Sequence, residues 1–350
     1  MNNIKRLIKK IPGTVLFVNI IRKIYRKTYN YFRKSKYKNA PFTNIVLMID
    51  TSINEKQYEY VNHNTWYQHG LSIKTYAGFN KKYKLPVSIE HGLHLLDQYP
   101  PYEIDNNLPG LFVISEHRKN IYSKYTDKEI ISIGPYIHYA DSLLTKSKYL
   151  KEKKRLGKVL LFMPSHSDVY SIVTHNDYDY LEEVKKISKD FDTVRVCLHW
   201  FDVEKCLYKQ YQNFGWEIVC AGHETNHLFL SRLKSIIECS DMVIVESVST
   251  SLGYAIHHKK PVMVINPFVF AKITDKGIED NISQKTIDDT LRNPIIEKAA
   301  GLFSNYSDKI TNEQLGFVDK YWGLSSTKSK DEMRNIILSF EEKFNKVNKK

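Results

Sequence analysis

The sequence is poor in cysteine, with four residues in 350 and no Cys-x-x-Cys pair. Such a small set supports neither a disulfide framework nor a four-thiolate zinc site, which predicts a reducing compartment. Long hydrophobic runs are also missing, since no stretch approaches the roughly 20 apolar residues that span a bilayer. No small-residue cleavage site follows a secretory apolar run. We therefore expect a cytoplasmic protein of about two globular domains, neither secreted nor membrane-spanning.

Acidic residues are absent from the first 40 positions, which contain 12 of the 52 Lys and Arg residues. The remaining 40 basic residues stand against 39 acidic ones, so the rest of the chain is nearly neutral. The net charge of +13 therefore belongs to an N-terminal appendage. A nucleic-acid binder, which needs a basic patch on its folded body, is not predicted.

The appendage alternates apolar and basic positions with helical periodicity, so that each helical stretch has one apolar and one basic side. This pattern predicts a basic amphipathic helical segment over residues 1–40. We expect residues 1–38 to bind an anionic surface, the inner face of the cytoplasmic membrane. The alternative is a helix that packs on the body or on a partner. The apolar sides comprise Ile4, Leu7, Ile8 and Ile11, then Phe17, Ile20, Ile21, Ile24, Tyr25, Tyr31 and Phe32.

From residue 41 onward, β-branched runs alternate with helical stretches, which predicts an α/β fold with parallel sheets. We expect two Rossmann-like domains facing a central cleft, with the ligand at the carboxyl ends of the strands. The predicted limits are residues 41–145 and 158–325 for the two domains, 146–157 for a polar linker and 326–350 for a C-terminal helix. Predicted strands cover 44–50, 86–89, 111–115, 130–133, 158–163, 193–199, 216–220, 242–246 and 261–265; predicted helices cover 178–188, 203–214, 226–239, 251–257 and 331–347.

A hydroxyl-rich turn, Ser249-Thr250-Ser251, follows the predicted strand 242–246 and opens a predicted helix. Free N–H groups and the positive end of the helix dipole make such a turn suitable for a phosphate. A plain Ser/Thr helix cap is the alternative.

Residues 221–241, this turn with its Gly-Tyr-Ala continuation, and Lys-Lys-Pro-Val at 259–262 together resemble the donor half of GT-B type glycosyltransferases of bacterial capsule and O-antigen pathways. The resemblance covers residues 158–267, and related epimerases and glycerophosphotransferases share the pattern. It implies that residues 158–325 are a nucleotide-sugar donor domain and residues 41–145 an acceptor domain. It also implies that Ser249, Thr250 and Ser251 hold the donor's phosphate.

The segment Glu90-His91-Gly92 ends a predicted strand. A carboxylate at this position can act as the general base for an acceptor hydroxyl, which makes Glu90, with His91 beside it, the candidate catalytic pair. The segment is similar to the acidic-x-Gly motif of bacterial sialyltransferases, which favours a CMP-linked donor. The sequence departs from that family in having His91 in place of a second acid and in lacking a His-Pro dipeptide. A turn carboxylate is the alternative for Glu90.

Three further donor-binding candidates, Ser165, His166 and Ser167, follow the first strand of the second domain. The first strand-to-helix loop of such a domain meets the ligand, so we expect His166 to donate to the phosphate or the nucleotide. A structural turn histidine is the alternative.

Two patterns suggest metals. His223-Glu-Thr-Asn-His227 matches the zinc-peptidase motif, but Gly222 precedes it and helical periodicity begins only at Leu228. We therefore interpret His223 as a donor-binding residue of the cleft. Asp177-Tyr-Asp179 resembles a metal-binding D-x-D, but it opens a predicted helix as cap-like acids. We expect no metal and no cofactor beyond the nucleotide-sugar.

Together these features predict a metal-independent glycosyltransferase that moves a sugar from a nucleotide donor to a surface polysaccharide or its lipid-linked precursor. The alternatives are a polyol-phosphate transferase of similar architecture, a non-catalytic glycan-binding or scaffold subunit of polysaccharide assembly, and, for the His223 motif alone, a zinc peptidase.

Overall fold

The structure is a computed structural model that describes residues 42–95, 97, 99–166, 171–174, 180–265, 270–273 and 293–348. The predicted amphipathic segment 1–40, Ser167 and the Asp177-Tyr-Asp179 pattern lie outside the described residues. No helix of the described part is long and apolar enough to cross a membrane.

The first sheet has three parallel strands: β1 (Ser88–Ile89), β2 (Gly110–Val113) and β3 (Glu129–Ser132). They lie in the order β1-β2-β3. All four residues of β2 are buried, because helices cover both faces of this central strand. The sequence predicts each of these strands to within two residues.

The second sheet has five parallel strands in the order β7-β6-β4-β8-β9. Its strand order reverses between β4 and β8, and the crevice outside the carboxyl ends of these two strands is where α/β sheets of this kind bind ligands. The predicted α/β fold with parallel sheets is confirmed. The remaining strands are β4 (Val159–Met163), β5 (Ser171–Thr174), β6 (Thr193–Leu198), β7 (Glu217–Cys220), β8 (Met242–Val245), β9 (Val262–Val264) and β10 (Phe270–Ile273), of which β5 and β10 form a separate antiparallel pair.

The described helices surround the two sheets. They are α1 (Ile45–Met48), α2 (His69–Tyr76), α3 (Glu116–Tyr122), α4 (Lys146–Leu156), α5 (Tyr180–Ser188), α6 (Trp200–Glu204), α7 (Tyr208–Gln212), α8 (Phe229–Glu238), α9 (Thr250–His257), α10 (Pro294–Phe303), α11 (Asn312–Trp322) and α12 (Lys330–Asn348). Short 3-10 helices cover Thr51–Ile53, Asn62–Gln68, Pro101–Glu103, Tyr136–Tyr139 and Leu324–Ser326.

The predicted strand 44–50 is wrong, because its centre forms the short helix α1. The Asn44 side chain accepts a hydrogen bond from the N–H of Leu47 and caps the turn. Ile45 and Met48, three residues apart, then share one face and are buried in the apolar layer of the second sheet, with Leu160 and Phe162 among others. This first helix of the described part therefore packs on the second sheet, although it precedes the strands of the first sheet in the chain.

The polar stretch 146–157, predicted as a linker, forms the helix α4, capped by Thr145 and ended by Gly157 at φ +65°. Glu152 lies 2.5 Å from the guanidinium of Arg195 on β6. This helix is thus bound to the second sheet. The predicted helix 203–214 is interrupted as well, since Cys206 adopts φ +60° between α6 and α7.

The C-terminal helices return the chain to the first sheet. Ser329 and Glu332 form a capping box at the start of α12. The Phe340 ring of this helix lies directly over Gly110 of β2, where a Cβ would meet it at 2.1 Å. Trp322 at the end of α11 occupies the equivalent space over Gly253 of α9. The helices after residue 310 therefore pack against elements of both sheets.

Candidate functional site

The carboxyl ends of β4 and β8 meet at the point where the strand order of the second sheet reverses. The hydroxyl of Ser165, after β4, lies 2.8 Å from that of Ser247, after β8. The N–H of Ser165 donates to the buried carboxylate of Glu246 at 2.9 Å. These bonds place the two predicted donor-binding loops side by side in the crevice.

The hydroxyl turn lies in the loop after β8. Ser249 precedes α9, and its backbone carbonyl accepts from the N–H of Leu252 at 3.1 Å, but its side chain makes no capping hydrogen bond. The side chains of Ser249, Thr250 and Ser251 are half-buried, and their hydroxyls have no hydrogen-bond partner within the described part of the chain. The side-chain cap that is the alternative explanation for this turn is therefore not formed by Ser249.

Three histidines lie at the ends of neighbouring strands of the second sheet. The rings of His166 and His199 stack with their centroids 4.0 Å apart, and the Trp200 ring lies 4.2 Å from that of His223. Nδ1 of His223 accepts the N–H of Thr225 at 3.1 Å, which assigns the ring proton to Nε2 in the neutral form. Nδ1 of His199 and Nε1 of Trp200 are buried and have no partner among the described residues.

Burial keeps the imidazoles of His199 and His223 neutral at neutral pH. The pKa of His199 is held well below its usual value by burial first, and then by repulsion from His166 and His223. Burial also lowers the pKa of His223. An anion placed among these rings would favour their charged forms and reverse the shift. No motif in the sequence marks His199 or Trp200, although His199 ends a predicted strand and Trp200 directly follows it.

On the first sheet, Glu90 directly follows β1. Its side chain is fully buried. One carboxylate oxygen accepts the N–H of Ile114 at 3.0 Å, and the other pairs with the guanidinium of buried Arg118. Both carboxylate oxygens thus bind the protein's own groups. Glu90 therefore forms a structural ion pair, in contrast to its predicted role as general base.

A second buried carboxylate, Glu103, supports His91. It accepts the backbone N–H of His91 at 2.6 Å, and the hydroxyl of Tyr122 donates to its other oxygen. Burial raises the pKa of Glu103, and the neighbouring charge of Glu90 raises it further. Glu103 and Tyr122 carry no sequence signal, since they lie in chain segments that have no motif.

The His91 ring itself lies between two aromatic side chains. Tyr67 stacks on it with ring centroids 5.2 Å apart, and Trp66 meets it edge-on at 4.8 Å. Burial lowers the pKa of His91 to about 4, with repulsion from His94 and His63 adding to the effect. Its Nδ1 has no hydrogen-bond partner in the described residues. His91 is therefore a neutral imidazole at neutral pH, with a ring nitrogen that bonds to no described residue.

Tyr67 joins the two halves of the site. Both Tyr67 and Gln68 adopt positive φ, +50° and +68°, a strained conformation for residues with a Cβ. The second sheet's unit holds them there: the N–H of Tyr67 donates to the carbonyl of Glu224 at 2.6 Å, and the Gln68 amide bonds both the N–H and the hydroxyl of Ser231. Neither residue is marked in the sequence, because nothing in their neighbourhood indicates the left-handed turn.

The zinc-peptidase pattern is not arranged for a metal. Residues 223–227 precede α8, which begins at Phe229, so the two histidines do not share a helix face. Nδ1 of His227 accepts the N–H of Glu55 at 3.1 Å. Among the described residues, no group of three or more His, Cys, Asp or Glu side chains is placed to hold a metal ion.

Comparisons with known proteins give structural neighbours only. No protein-family profile matches the chain, and no curated protein sequence matches it either. The wall teichoic acid polymerase TagF is 14% identical over 74% of this chain and 65% of its own, with a TM-score of 0.38. A UDP complex of S. aureus MnaA is 12% identical over 71% and 65%, with a TM-score of 0.34. UDP-GlcNAc 2-epimerase of Methanocaldococcus jannaschii, bound to UDP-GlcNAc and UDP, is 12% identical over 73% and 68%, with a TM-score of 0.38. The chain thus spans about 65% of the length of TagF and MnaA, and likeness at this level assigns it no activity.

Proposed function

We propose that the chain is a GT-B type glycosyltransferase that moves a sugar from a nucleotide-activated donor to a surface polysaccharide or its lipid-linked precursor without a metal. One observation carries this proposal: a crevice lined by hydroxyls and imidazoles on the second sheet meets a neutral histidine of the first sheet through Tyr67. A phosphate-binding half and a proton-accepting half are what group transfer from a nucleotide donor requires.

In this proposal the donor lies at the carboxyl ends of β4 and β8, where the strand order of the second sheet reverses. The hydroxyls of Ser165, Ser249, Thr250 and Ser251, together with the first N–H groups of α9, hold its phosphate. His166, His199 and His223 donate hydrogen bonds to the phosphate and stabilise the negative charge that develops on the departing nucleotide. Ser167 belongs to the same loop by sequence. The resemblance to sialyltransferases favours CMP as the nucleotide.

His91 takes the role that the sequence assigned to Glu90. The acceptor hydroxyl gives its proton to the neutral imidazole while the hydroxyl oxygen forms a bond to the anomeric carbon of the donor sugar. The bond from that carbon to the phosphate oxygen breaks, and its electron pair leaves with the nucleotide. Glu103 and Tyr122 hold the backbone of His91 in position, while Arg118 and Glu90 fix the adjacent strand ends.

Residues 1–38 would place this enzyme on the inner face of the cytoplasmic membrane, next to a lipid-linked acceptor. The support is the charge pattern of the sequence: basic residues without any acid, in segments whose periodicity predicts helices with one apolar side each.

A thermal-shift panel of CMP, CDP, UDP, GDP and TDP tests the donor site. A nucleotide present at about 100 times its dissociation constant stabilises the protein by about 2.7 kcal/mol. We expect at least one of the five to raise the melting temperature in the presence of EDTA, and the Ser249→Ala/Ser251→Ala variant to lose that shift. A panel without any shift would contradict the proposal and favour a scaffold subunit.

A further inference from the structure

The aromatic contacts of His91 continue from Trp66 to Tyr102 and His63. The Trp66 ring meets His91 at 4.8 Å and Tyr102 at 5.7 Å. Tyr102 is 42% exposed, and behind it the ring of buried His63 lies 5.2 Å away. His91 therefore contacts Tyr67, which connects it to the proposed donor site, and Trp66, which together with Tyr102 forms an aromatic surface.

This aromatic surface lies in a part of the chain without free cations. No Lys or Arg occurs between positions 57 and 73 or between positions 85 and 117. The flanking Lys74 and Arg118 are fully buried in ion pairs with Glu59 and Glu90. A phosphorylated or otherwise anionic ligand would find no counter-charge from these segments.

The groups beneath the aromatic surface are uncharged as well. Burial lowers the pKa of His63 to about 4, so this imidazole is neutral at neutral pH, and Nε2 is 2.7 Å from the hydroxyl of Ser88. Burial also raises the pKa of Glu103, the residue next to Tyr102, and so favours its neutral form. The aromatic surface thus presents apolar rings that lie over uncharged side chains.

We propose that Trp66 and Tyr102 form the acceptor subsite, which holds an uncharged sugar ring of a glycan chain by stacking, beside His91 and opposite the donor. The inference rests on the proposed function and names its acceptor class. A pyranose carries C–H groups on its faces and hydroxyls around its rim, so it can bury one face against an aromatic ring and leave its hydroxyls in water. A hydroxyl of the ring seated on Trp66 then lies within reach of the His91 imidazole, which Trp66 contacts.

The test is saturation-transfer NMR on the full chain, with chitotetraose, cellotetraose and maltotetraose as neutral probes and glycerol 3-phosphate as the anionic comparator, each with the best nucleotide from the thermal-shift panel. We expect the ring C–H protons of at least one tetrasaccharide to receive saturation, and glycerol 3-phosphate to receive none. Tyr102→Ser should weaken that binding at least tenfold. Trp66→Phe, which keeps a smaller ring in a half-buried position, should weaken it less than Trp66→Ala.

Tyr60→Ala is the matched control, because Tyr60 is 49% exposed and its ring packs 4.8 Å from that of Phe344, away from the site. Melting temperature and nucleotide shift are measured for every variant, so a folding defect is recognised, and Tyr102→Ser keeps the test valid if Trp66→Ala does not fold. Unchanged tetrasaccharide binding in folded Tyr102→Ser would overturn the inference. The inference would also be overturned if, with the nucleotide shift intact, glycerol 3-phosphate were the only probe to bind, or if none of the probes bound. If no nucleotide raises the melting temperature of the unmodified protein, the result would instead contradict the proposed function.

Discussion

The hydroxyl of Tyr67 lies 3.4 Å from Nε2 of His199, although the two residues are 132 positions apart. Tyr67 lies in the 3-10 helix Asn62–Gln68, whereas His199 follows β6 of the second sheet. The same tyrosine ring stacks on His91. One side chain therefore separates the imidazole proposed as base from the imidazoles proposed to bind phosphate. Its strained backbone is held by hydrogen bonds from the second unit, so the two halves of the site are positioned together.

Replacing His91 by Gln should lower turnover by about 10²–10⁴-fold, the usual contribution of a general base. Nucleotide affinity should stay nearly unchanged, since His91 lies on the first sheet. Steady-state kinetics together with a nucleotide titration measure both quantities. His138→Gln is the matched control, a half-buried histidine beside Tyr76 and His257. Wild-type turnover in folded His91→Gln would exclude this residue as the base.

The double variant Ser249→Ala/Ser251→Ala should weaken nucleotide binding by about 1–3 kcal/mol, because charge-assisted hydrogen bonds to phosphate are lost. Folding should persist, since the Ser249 side chain makes no capping bond. Isothermal titration calorimetry gives the affinity. Ser123→Ala, which removes an exposed hydroxyl at the end of α3, serves as control. A folded double variant with unchanged affinity would disprove the phosphate role of this turn.

Nucleotide affinity should rise as the pH falls from 8 to 6. In the free protein, burial lowers the pKa values of His199 and His223, so both imidazoles are neutral. A bound phosphate stabilises their charged forms and raises those pKa values, so binding takes up protons. For one proton taken up, the association constant increases up to about tenfold per pH unit. Titrations in buffers of different ionisation enthalpy measure this uptake, and an affinity independent of pH would contradict it.

Replacing Glu90 by Gln should destabilise the protein by about 3–5 kcal/mol, because it leaves the Arg118 guanidinium buried without its counter-charge. The loss is expected at the lower end, since Glu103 lies close enough to ionise in compensation. Glu129→Gln, which breaks an exposed pair with Lys343, should cost only about 0–1 kcal/mol. Urea unfolding compares the two variants. Equal free energies of unfolding for the two variants would show that the buried pair stabilises the protein no more than the exposed pair does.

Removing residues 1–38 should abolish sedimentation with anionic vesicles and leave transfer to a soluble acceptor intact. Lys and Arg residues near such a surface contribute about 1 kcal/mol each before salt and crowding reduce the sum. Neutral vesicles should bind the full-length protein much less. If truncated and full-length protein bind vesicles equally, or if the truncated form precipitates, the segment packs on the body as ordinary structure.

Most strands could be predicted from the sequence, because buried parallel strands are short β-branched runs such as Met242–Val245 and Thr193–Leu198. The predicted strands also locate the loops at their carboxyl ends. His166, His223 and the turn at Ser249 lie in these loops. The position of Glu90 at a strand end predicts a general base. It does not indicate the ion pair with Arg118, a residue 28 positions further along the chain. Tyr67 and His199 depend on a contact between distant segments, which no local pattern reports.

The errors in secondary structure have a similar cause. The apolar run at 45–48 suits a strand by composition, but Asn44 caps it as a helical turn that buries Ile45 and Met48. The Lys-rich stretch 146–157 has the composition of a solvated linker, yet Thr145 and Gly157 delimit a helix there. In both segments the capping residue determined the conformation, although composition favoured another.

The position of α1 on the second sheet determines the order in which the chain can fold. Ile45 and Met48 find their apolar neighbours on strands made much later, and Asn54 finds its partner Thr225 only 171 residues further on. During synthesis the first hundred residues therefore emerge with apolar side chains that have nothing to bury against. A fragment cut at residue 145 would keep those side chains exposed, so the first sheet needs the second to complete its fold and should aggregate when expressed alone.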